Sequence, residues 1–229
     1  MKERPILFSA PMVQAILAGR KTQTRRIWKQ PTSLCMKDDS LYATEHDARQ
    51  AFNPIARDEI VCPYGRPGDH LWVREMFCAD DGHYSGPVGY LYRADFEKDL
   101  DVKIWTPSIH MPRAASRITL EVTGIRVERL QNISREDAIA EGATSRPNCA
   151  GYSGTRDGWC MDWSPVGRDA AHGTDRKLTE SDICHSTPQS AFGNLINTLH
   201  GGKNWNLKPT NLWDQNPFVW VVEFRRIKP

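Results

Sequence analysis

Apolar and polar positions follow two rhythms along this chain, and the changes of rhythm mark its elements. Ile6–Leu7–Phe8 is a short apolar run that reads as a buried strand. Ser9 then stands where a helix cap belongs, with Pro11 in the first turn. Met12, Val13, Ile16 and Leu17 share one helical face, and Gly19 falls where that helix stops. Thr22 to Trp28 is strand-compatible. Alternation sets Thr22, Thr24 and Arg26 on one side and Gln23, Arg25 and Ile27 on the other.

Residues Pro31 to Pro63 hold no sustained period and read as an irregular insertion. Arg66–Pro67–Gly68–Asp69 is a turn signal ahead of a strand at Leu71–Trp72–Val73–Arg74, and Tyr90–Leu91–Tyr92 suggests another. The strongest two-residue period runs from Arg117 to Leu130, through Ile118, Leu120, Val122, Ile125 and Val127, with Gly124 marking a bend or bulge. Ser134 and Asp137 offer a capping box for a short helix ending at Glu141–Gly142. From Ala143 to Pro188 the chain turns polar and reads as a long mobile insertion. Phe192, Leu195, Ile196 and Leu199 form a helical stripe, and Phe218 to Ile227 a final strand. Strands separated by short helices, without regular βαβ spacing and without internal repeats, predict an α+β chain. A small mixed β-barrel and an α+β sandwich both fit.

At 229 residues, with 39% hydrophobic and 25% charged residues, one domain over 1–229 with insertions at about 31–63 and 143–188 accounts for the whole chain. A net charge of +2 supplies no global attraction to nucleic acid or membrane. Basicity is local, in Arg20, Lys21, Arg25, Arg26 and Lys29 and again in Arg225, Arg226 and Lys228. Lys2 and Arg4 before Ile6–Leu7–Phe8 imitate a signal peptide, but Pro11 and Gln14 interrupt the apolar run. No run approaches the length of a membrane span. The six cysteines lack regular spacing, so reduced thiols and a cytoplasmic location are expected.

The chemistry concentrates in GRKTQTRR, Gly19 to Arg26. Neighbouring positive charge disfavours a protonated amine, so Lys21 is a candidate base, and a nearby Thr24 hydroxyl a candidate nucleophile. The carboxyl end of the preceding helix acts the other way and favours the ammonium. On a strand, residues three apart face opposite ways, so Lys21 and Thr24 converge only if Lys21 still belongs to the turn.

The segments ILAGRKTQTRR, RPGDHLWVRE (Arg66–Glu75), SRITLEVTGIRVERLQNISREDAIAEG (Ser116–Gly142) and NPFVWVVEFRR (Asn216–Arg226) occur in this order. Together they resemble the ASCH-domain family, whose fold is PUA-like: a β-barrel flanked by helices. The length and the eight tryptophans resemble the longer members found in phages and prophages. Compact bacterial members are amidohydrolases that remove the acetyl group from N4-acetylcytidine. Their catalytic Lys and Thr match Lys21 and Thr24, and their Glu, late in the short helix, matches Glu141. Glu136 and Glu75 stand as alternative carboxylates. At a helix carboxyl end, the dipole disfavours a charged Glu141 and suits it to proton donation.

The resemblance implies no cofactor and no metal, with a modified nucleoside or base as substrate. Arg20, Arg25, Arg26, Glu75, His110 and Arg113 are candidate substrate-binding residues. An RNA-binding module without catalysis and a metal-independent ribonuclease are the rival functions, and RNA a possible partner. Trp72, Trp105, Trp213 and Trp220 read as core or loop anchors. Cys149, Cys160, His172, Cys184 and His185 contain no Cys-x-x-Cys pair and match no standard zinc spacing. The 143–188 segment reads as a lid over the site or a disordered loop. Oligomeric state is left open.

Overall fold

A computed structural model describes residues 1–28, 35–37, 40–42, 62–80, 89–96, 105–150, 156–161, 184–201 and 212–227. The chain is a mixed α+β fold, strand-rich with short helices. Strand β1 (Glu3–Leu7) leads into helix α1 (Ala10–Leu17) and strand β2 (Gln23–Ile27). Two short strands, β3 (Cys35–Lys37) and β4 (Ser40–Tyr42), precede β5 (His70–Arg74), β6 (Phe77–Asp80) and β7 (Gly89–Tyr92). The long β8 (Thr119–Arg129) is followed by helix α2 (Arg135–Ala140), then by β9 (Ala143–Ala150) and β10 (Arg156–Met161). Helices α3 (Pro188–Gly201) and α4 (Leu212–Gln215) lead to β11 (Phe218–Ile227).

The principal sheet has five strands in the order β1-β5-β8-β11-β2. The β1–β5 pair is parallel, and the other pairings are antiparallel. Three separate two-stranded ladders join β3 to β4, β6 to β7 and β9 to β10. Among the described residues, no backbone ladder joins the outer strands β1 and β2. The bulge expected at Gly124 is present: pairing passes from Glu223↔Gly124 to Phe224↔Val122, which leaves Thr123 unopposed.

Register sorts the side chains of the sheet onto two faces. Thr24, Val222 and Ile125 lie in one cross-strand row, and Arg25, Val221 and Arg126 in the next. Because successive residues point oppositely, these rows belong to different faces. The face of Val222 and Trp220 is buried with Ile6, Phe8, Val13, Ile16, Leu71 and Val73, so α1 covers it. The face of Val219 and Val221 packs against Leu130, Ala138, Phe192 and Leu195, from the β8 end, α2 and α3. Each such side chain removed from water contributes about 1.5–3 kcal/mol, enough to hold short helices that would not persist alone.

Helix α1 ends as the sequence predicts, with Gly19 at φ +73°. The amides of Arg20 and Lys21 both donate to the Ala15 carbonyl (2.9 and 3.1 Å), wrapping the chain around the helix end before β2 begins. Ser134 caps α2 by accepting from the Asp137 amide at 3.0 Å. The stripe on α3 is shorter than expected: Phe192, Leu195 and Ile196 are buried, but Leu199 is exposed. No described helix is long and apolar enough to cross a membrane.

Three expectations need correction. The 143–188 segment is not wholly a loop, since β9 and β10 form a hairpin at its start. Ala143, Cys160 and Met161 are buried there, with Ala143 and Met161 in the cluster built on Phe192. Short strands carrying Gly158 and Pro147 hide this burial from a periodicity reading. The segment 31–63 likewise holds the β3–β4 ladder, and Cys62 joins the core. The thiols are not all reduced either: Cys184 is disulfide-bonded, whereas Cys62, Cys78 and Cys160 form no disulfide. His172 lies outside the described residues.

Candidate active site

Lys21 occupies the turn between α1 and β2, as convergence with Thr24 requires. Its side chain is almost fully buried, at 1% exposure, against a Glu141 side chain at 4%. Nζ donates to Glu141 Oε2 at 2.6 Å, to the Glu141 carbonyl at 3.0 Å and to the Gln23 carbonyl at 2.7 Å. Glu141 is the residue that closes α2, with its own amide bonded to the Asp137 carbonyl. Two residues 120 positions apart are thus joined by one short charge-assisted contact. Burial pulls the Lys21 amine below its ordinary pKa; the charge of Glu141 and the hydrogen bond to it oppose this, and the charges of Arg26 and Arg25 reinforce it.

Arg25 extends this pair into a network. Nη1 lies 3.4 Å from Glu141 Oε1, and Nη2 donates to Glu128 Oε1 (2.5 Å) and Asp137 Oδ2 (2.9 Å). Arg126 shares two of those acceptors: Nη2 donates to Asp137 Oδ2 at 2.7 Å and Nε to Glu128 Oε2 at 3.1 Å. Arg126 also pairs with Glu223. Gln23 completes the cluster, its amide best oriented with nitrogen on Asp137 (3.1 Å) and oxygen facing Arg126 (2.9 Å). Burial pushes the Asp137 carboxyl up, but the Arg126 hydrogen bond and the charges of Arg25 and Arg126 outweigh it and hold it below its usual range.

Thr24 lies on the opposite sheet face from Arg25, buried at 4% exposure beside Val222. Among the described residues, no group hydrogen-bonds its hydroxyl, including Lys21. The amine instead reaches the strand between these faces. The Thr22 carbonyl accepts from Phe224 of β11, so the next carbonyl, that of Gln23, faces away from β11. Nζ sits against that carbonyl, one residue before Thr24.

Arg26 shares the face of Thr24. Its guanidinium lies 5.2 Å from the centre of the Phe8 ring and donates through Nη2 to the Leu7 carbonyl at 2.5 Å. It also lines an open cleft of about 860 Å³ bounded by Phe8, Pro11, Met12, Phe96 and Leu199. Lys21, Thr24 and Glu141 are not among the residues lining that cleft.

The other sequence candidates go elsewhere. Arg20 is exposed beyond α1. Glu75 is buried, but both its oxygens accept from Arg117 (2.9 and 3.1 Å), which also holds Asp95 at 2.7 Å. Burial pushes the Glu75 carboxyl up, against that hydrogen bond. Arg113 pairs with Glu3 (2.9 Å) and lies 6.0 Å from the Trp72 ring centre. His110 is exposed in a single helical turn, Ser108–His110. Neither Glu75, His110 nor Arg113 therefore joins the Lys21 cluster, and Arg25 meets carboxylates in place of an open surface. Sequence reasoning missed Glu128, Arg126, Gln23 and the role of Asp137. Alternation on β8 groups Arg126 with Glu128, but only the β8–β11–β2 register brings them beside Arg25.

The arrangement supplies a buried amine and a carboxylate within proton-transfer distance, with Thr24 one residue beyond the carbonyl that the amine touches. Three acceptors around Nζ suit an ammonium, whereas burial favours the neutral amine. No protein-family description, curated protein or solved structure matches the chain.

Proposed function

We propose that the protein is an amidohydrolase of ASCH type that removes the acyl group from N4-acylated cytosine bases or nucleosides. The observation that carries this reading is the 2.6 Å contact between Lys21 Nζ and Glu141 Oε2, in a buried setting and between two residues that the sequence resemblance assigns to catalysis. A PUA-like barrel is part of the same reading. Arg26 of β2 hydrogen-bonds the carbonyl of Leu7 at the end of β1, so the two outer strands of the sheet approach each other as a rolled sheet requires.

In this mechanism the amine of Lys21 takes a proton from the Thr24 hydroxyl, or from a water held by it. The oxygen attacks the acyl carbonyl and forms the new C–O bond. As the C–N bond breaks, Glu141 gives its proton to the departing exocyclic nitrogen. With Thr24 as the nucleophile, a water then releases the acyl group from its oxygen. Either way one water is consumed, and free amine and carboxylic acid leave. The shared Lys21–Glu141 proton supplies both the base and the acid.

The rival reading, a phosphate-binding module built on the Arg20–Lys29 cluster, draws less support. Arg25 at the centre of that cluster is engaged by three carboxylates, which neutralise the charge a phosphate backbone would use. The test is ultraviolet monitoring of N4-acetylcytidine and longer acyl analogues. Wild type should release cytidine, and Lys21→Ala should lose about 10²–10⁴-fold in rate. No release by folded wild-type protein would overturn the proposal.

A further inference from the structure

The two residues that flank Thr24 on β2 each hold one member of the proposed catalytic pair. The Gln23 carbonyl accepts from Lys21 Nζ at 2.7 Å, and Arg25 Nη1 donates to Glu141 Oε1 at 3.4 Å. Lys21 itself takes the other carboxylate oxygen, Oε2. Among the described residues, Lys21 and Arg25 are the ion-pair partners of Glu141. A contact to the flexible lysine alone would leave the carboxylate free to turn about its last bond. A cation on each oxygen fixes it, and the planar guanidinium supplies the rigid one.

Arg25 is held in turn from behind. Nε and Nη2 donate to Glu128 Oε1 (3.2 and 2.5 Å), Nη2 donates to Asp137 Oδ2 (2.9 Å), and the Phe192 ring centre of α3 lies 5.7 Å from the guanidinium carbon. Arg126 also meets Glu128 and Asp137, so those two carboxylates do not depend on Arg25 alone for a cation. Arg25 and Arg26 of β2 face the pair directly, and both disfavour the Lys21 ammonium. Behind Arg25 stand Glu128 and Arg126 of β8 and Asp137 of α2, with Glu223 of β11 on Arg126. The Arg25 and Lys21 side chains are 1% exposed and that of Glu141 4%, which leaves little water to screen these charges.

We propose that Arg25 is a positioning residue for this reaction, one that fixes the Glu141 carboxylate against Lys21 and sets the pH range in which the pair holds its shared proton. It touches no reacting atom and acts through Glu141. A cation beside a carboxylate and an amine lowers the pH at which each releases its proton. Gain of a second proton removes the base and loss of the shared one removes the acid, so two apparent titrations of the pair bound the active range. Arg25 moves both bounds down together. The role in turnover rests on the amidohydrolase reading, whereas the effect of Arg25 on the titration of the pair stands apart from it.

The test joins rate to titration in the full chain. The kcat/KM for N4-acetylcytidine is measured across pH, and Lys21 is followed by NMR in protein carrying isotope-labelled lysine, its signal identified by loss in Lys21→Ala. Arg25→Gln should move both limbs of the rate profile and the Lys21 titration to higher pH by about one unit, with KM at the new optimum unchanged. Arg25→Lys should return the profile toward that of wild type at a reduced rate, because the charge is kept and the fork is lost. Glu128→Gln removes an anion from the far side of Arg25 and should move the profile to lower pH, a direction that loosening of the fold does not give. It decides the matter if Arg25→Gln fails to fold. Coincident profiles and titrations for wild type, Arg25→Gln and Glu128→Gln overturn the inference. A raised KM with an unmoved profile in Arg25→Gln overturns it in favour of direct contact with substrate. Shifted lysine titrations without hydrolysis by wild type would sustain the hold of Arg25 on the pair and count against the amidohydrolase reading alone.

Discussion

The backbone amide of Thr22 donates to the carbonyl of Ala140 at 2.9 Å, tying the start of β2 to the last turn of α2. Each partner adjoins one member of the proposed catalytic pair, so this bond sets the spacing of Lys21 and Glu141. Glu141→Gln keeps that backbone tie and the side-chain shape but removes the ionisable proton. Turnover of N4-acetylcytidine should fall about 10²–10⁴-fold, with near-ultraviolet circular dichroism unchanged. Glu75→Gln, altering a carboxylate bound by Arg117 away from the Lys21 cluster, should turn over at the wild-type rate. The reverse ranking of the two variants would reassign the acid.

Thr24→Val separates chemistry from packing. The residue is buried and no described group hydrogen-bonds its hydroxyl, so a near-isosteric methyl should leave the melting temperature unchanged or slightly raised. Hydrolysis should be lost in the same sample. Activity retained in Thr24→Val would leave water, positioned by other groups, as the nucleophile.

Arg25→Met should destabilise the fold more than any exposed arginine change. The guanidinium side chain is 1% exposed and meets Glu128, Asp137 and Glu141, and its removal leaves Arg126 and Lys21 alone to balance those carboxylates. With those cations still in place, the loss should lie at or below the lower end of the about 3–5 kcal/mol that breaking a buried pair costs. Urea denaturation should show the midpoint shift without a change in slope.

Asp137 links the network to acid stability. Its folded-state pKa lies below the unfolded value of 3.8, so its contribution is complete above that value. The contribution disappears as pH falls through the lower folded value. Asp137→Asn retains the amide that Ser134 caps but titrates no longer. The variant should be less stable at neutral pH and show a shallower loss below about pH 4. Parallel acid profiles for the two proteins would show that Asp137 is not the group responsible.

Much of this arrangement was legible in the chain because it depends on local rules. Gly19, Ser134 and Gly142 fix the ends of two helices, and the alternation through Val122 and Val127 fixes a strand without reference to its partners. The Lys21–Glu141 meeting came from the resemblance; sequence physics alone contained no term joining positions 120 apart. The Arg25 network was illegible for a related reason. Arg126 and Glu128 become its neighbours only through pairing with β11, and register is a global property. The β9–β10 hairpin escaped notice because its buried side chains are small or sulfur-bearing and alternate with Gly and Pro. Glu75 and Arg113 meet other ionic partners and His110 faces solvent, so they stand apart from the Lys21 cluster, a placement no motif records.

Strand β2 ends the sheet, and its outward carbonyl at Gln23 is occupied by Lys21. That carbonyl is buried, so loss of the lysine would leave it without its donor, a cost of about 1–3 kcal/mol. Lys21→Ala should then do more than lose turnover. It should lower the melting temperature where Glu141→Gln does not, because only the alanine withdraws the donor from the Gln23 carbonyl.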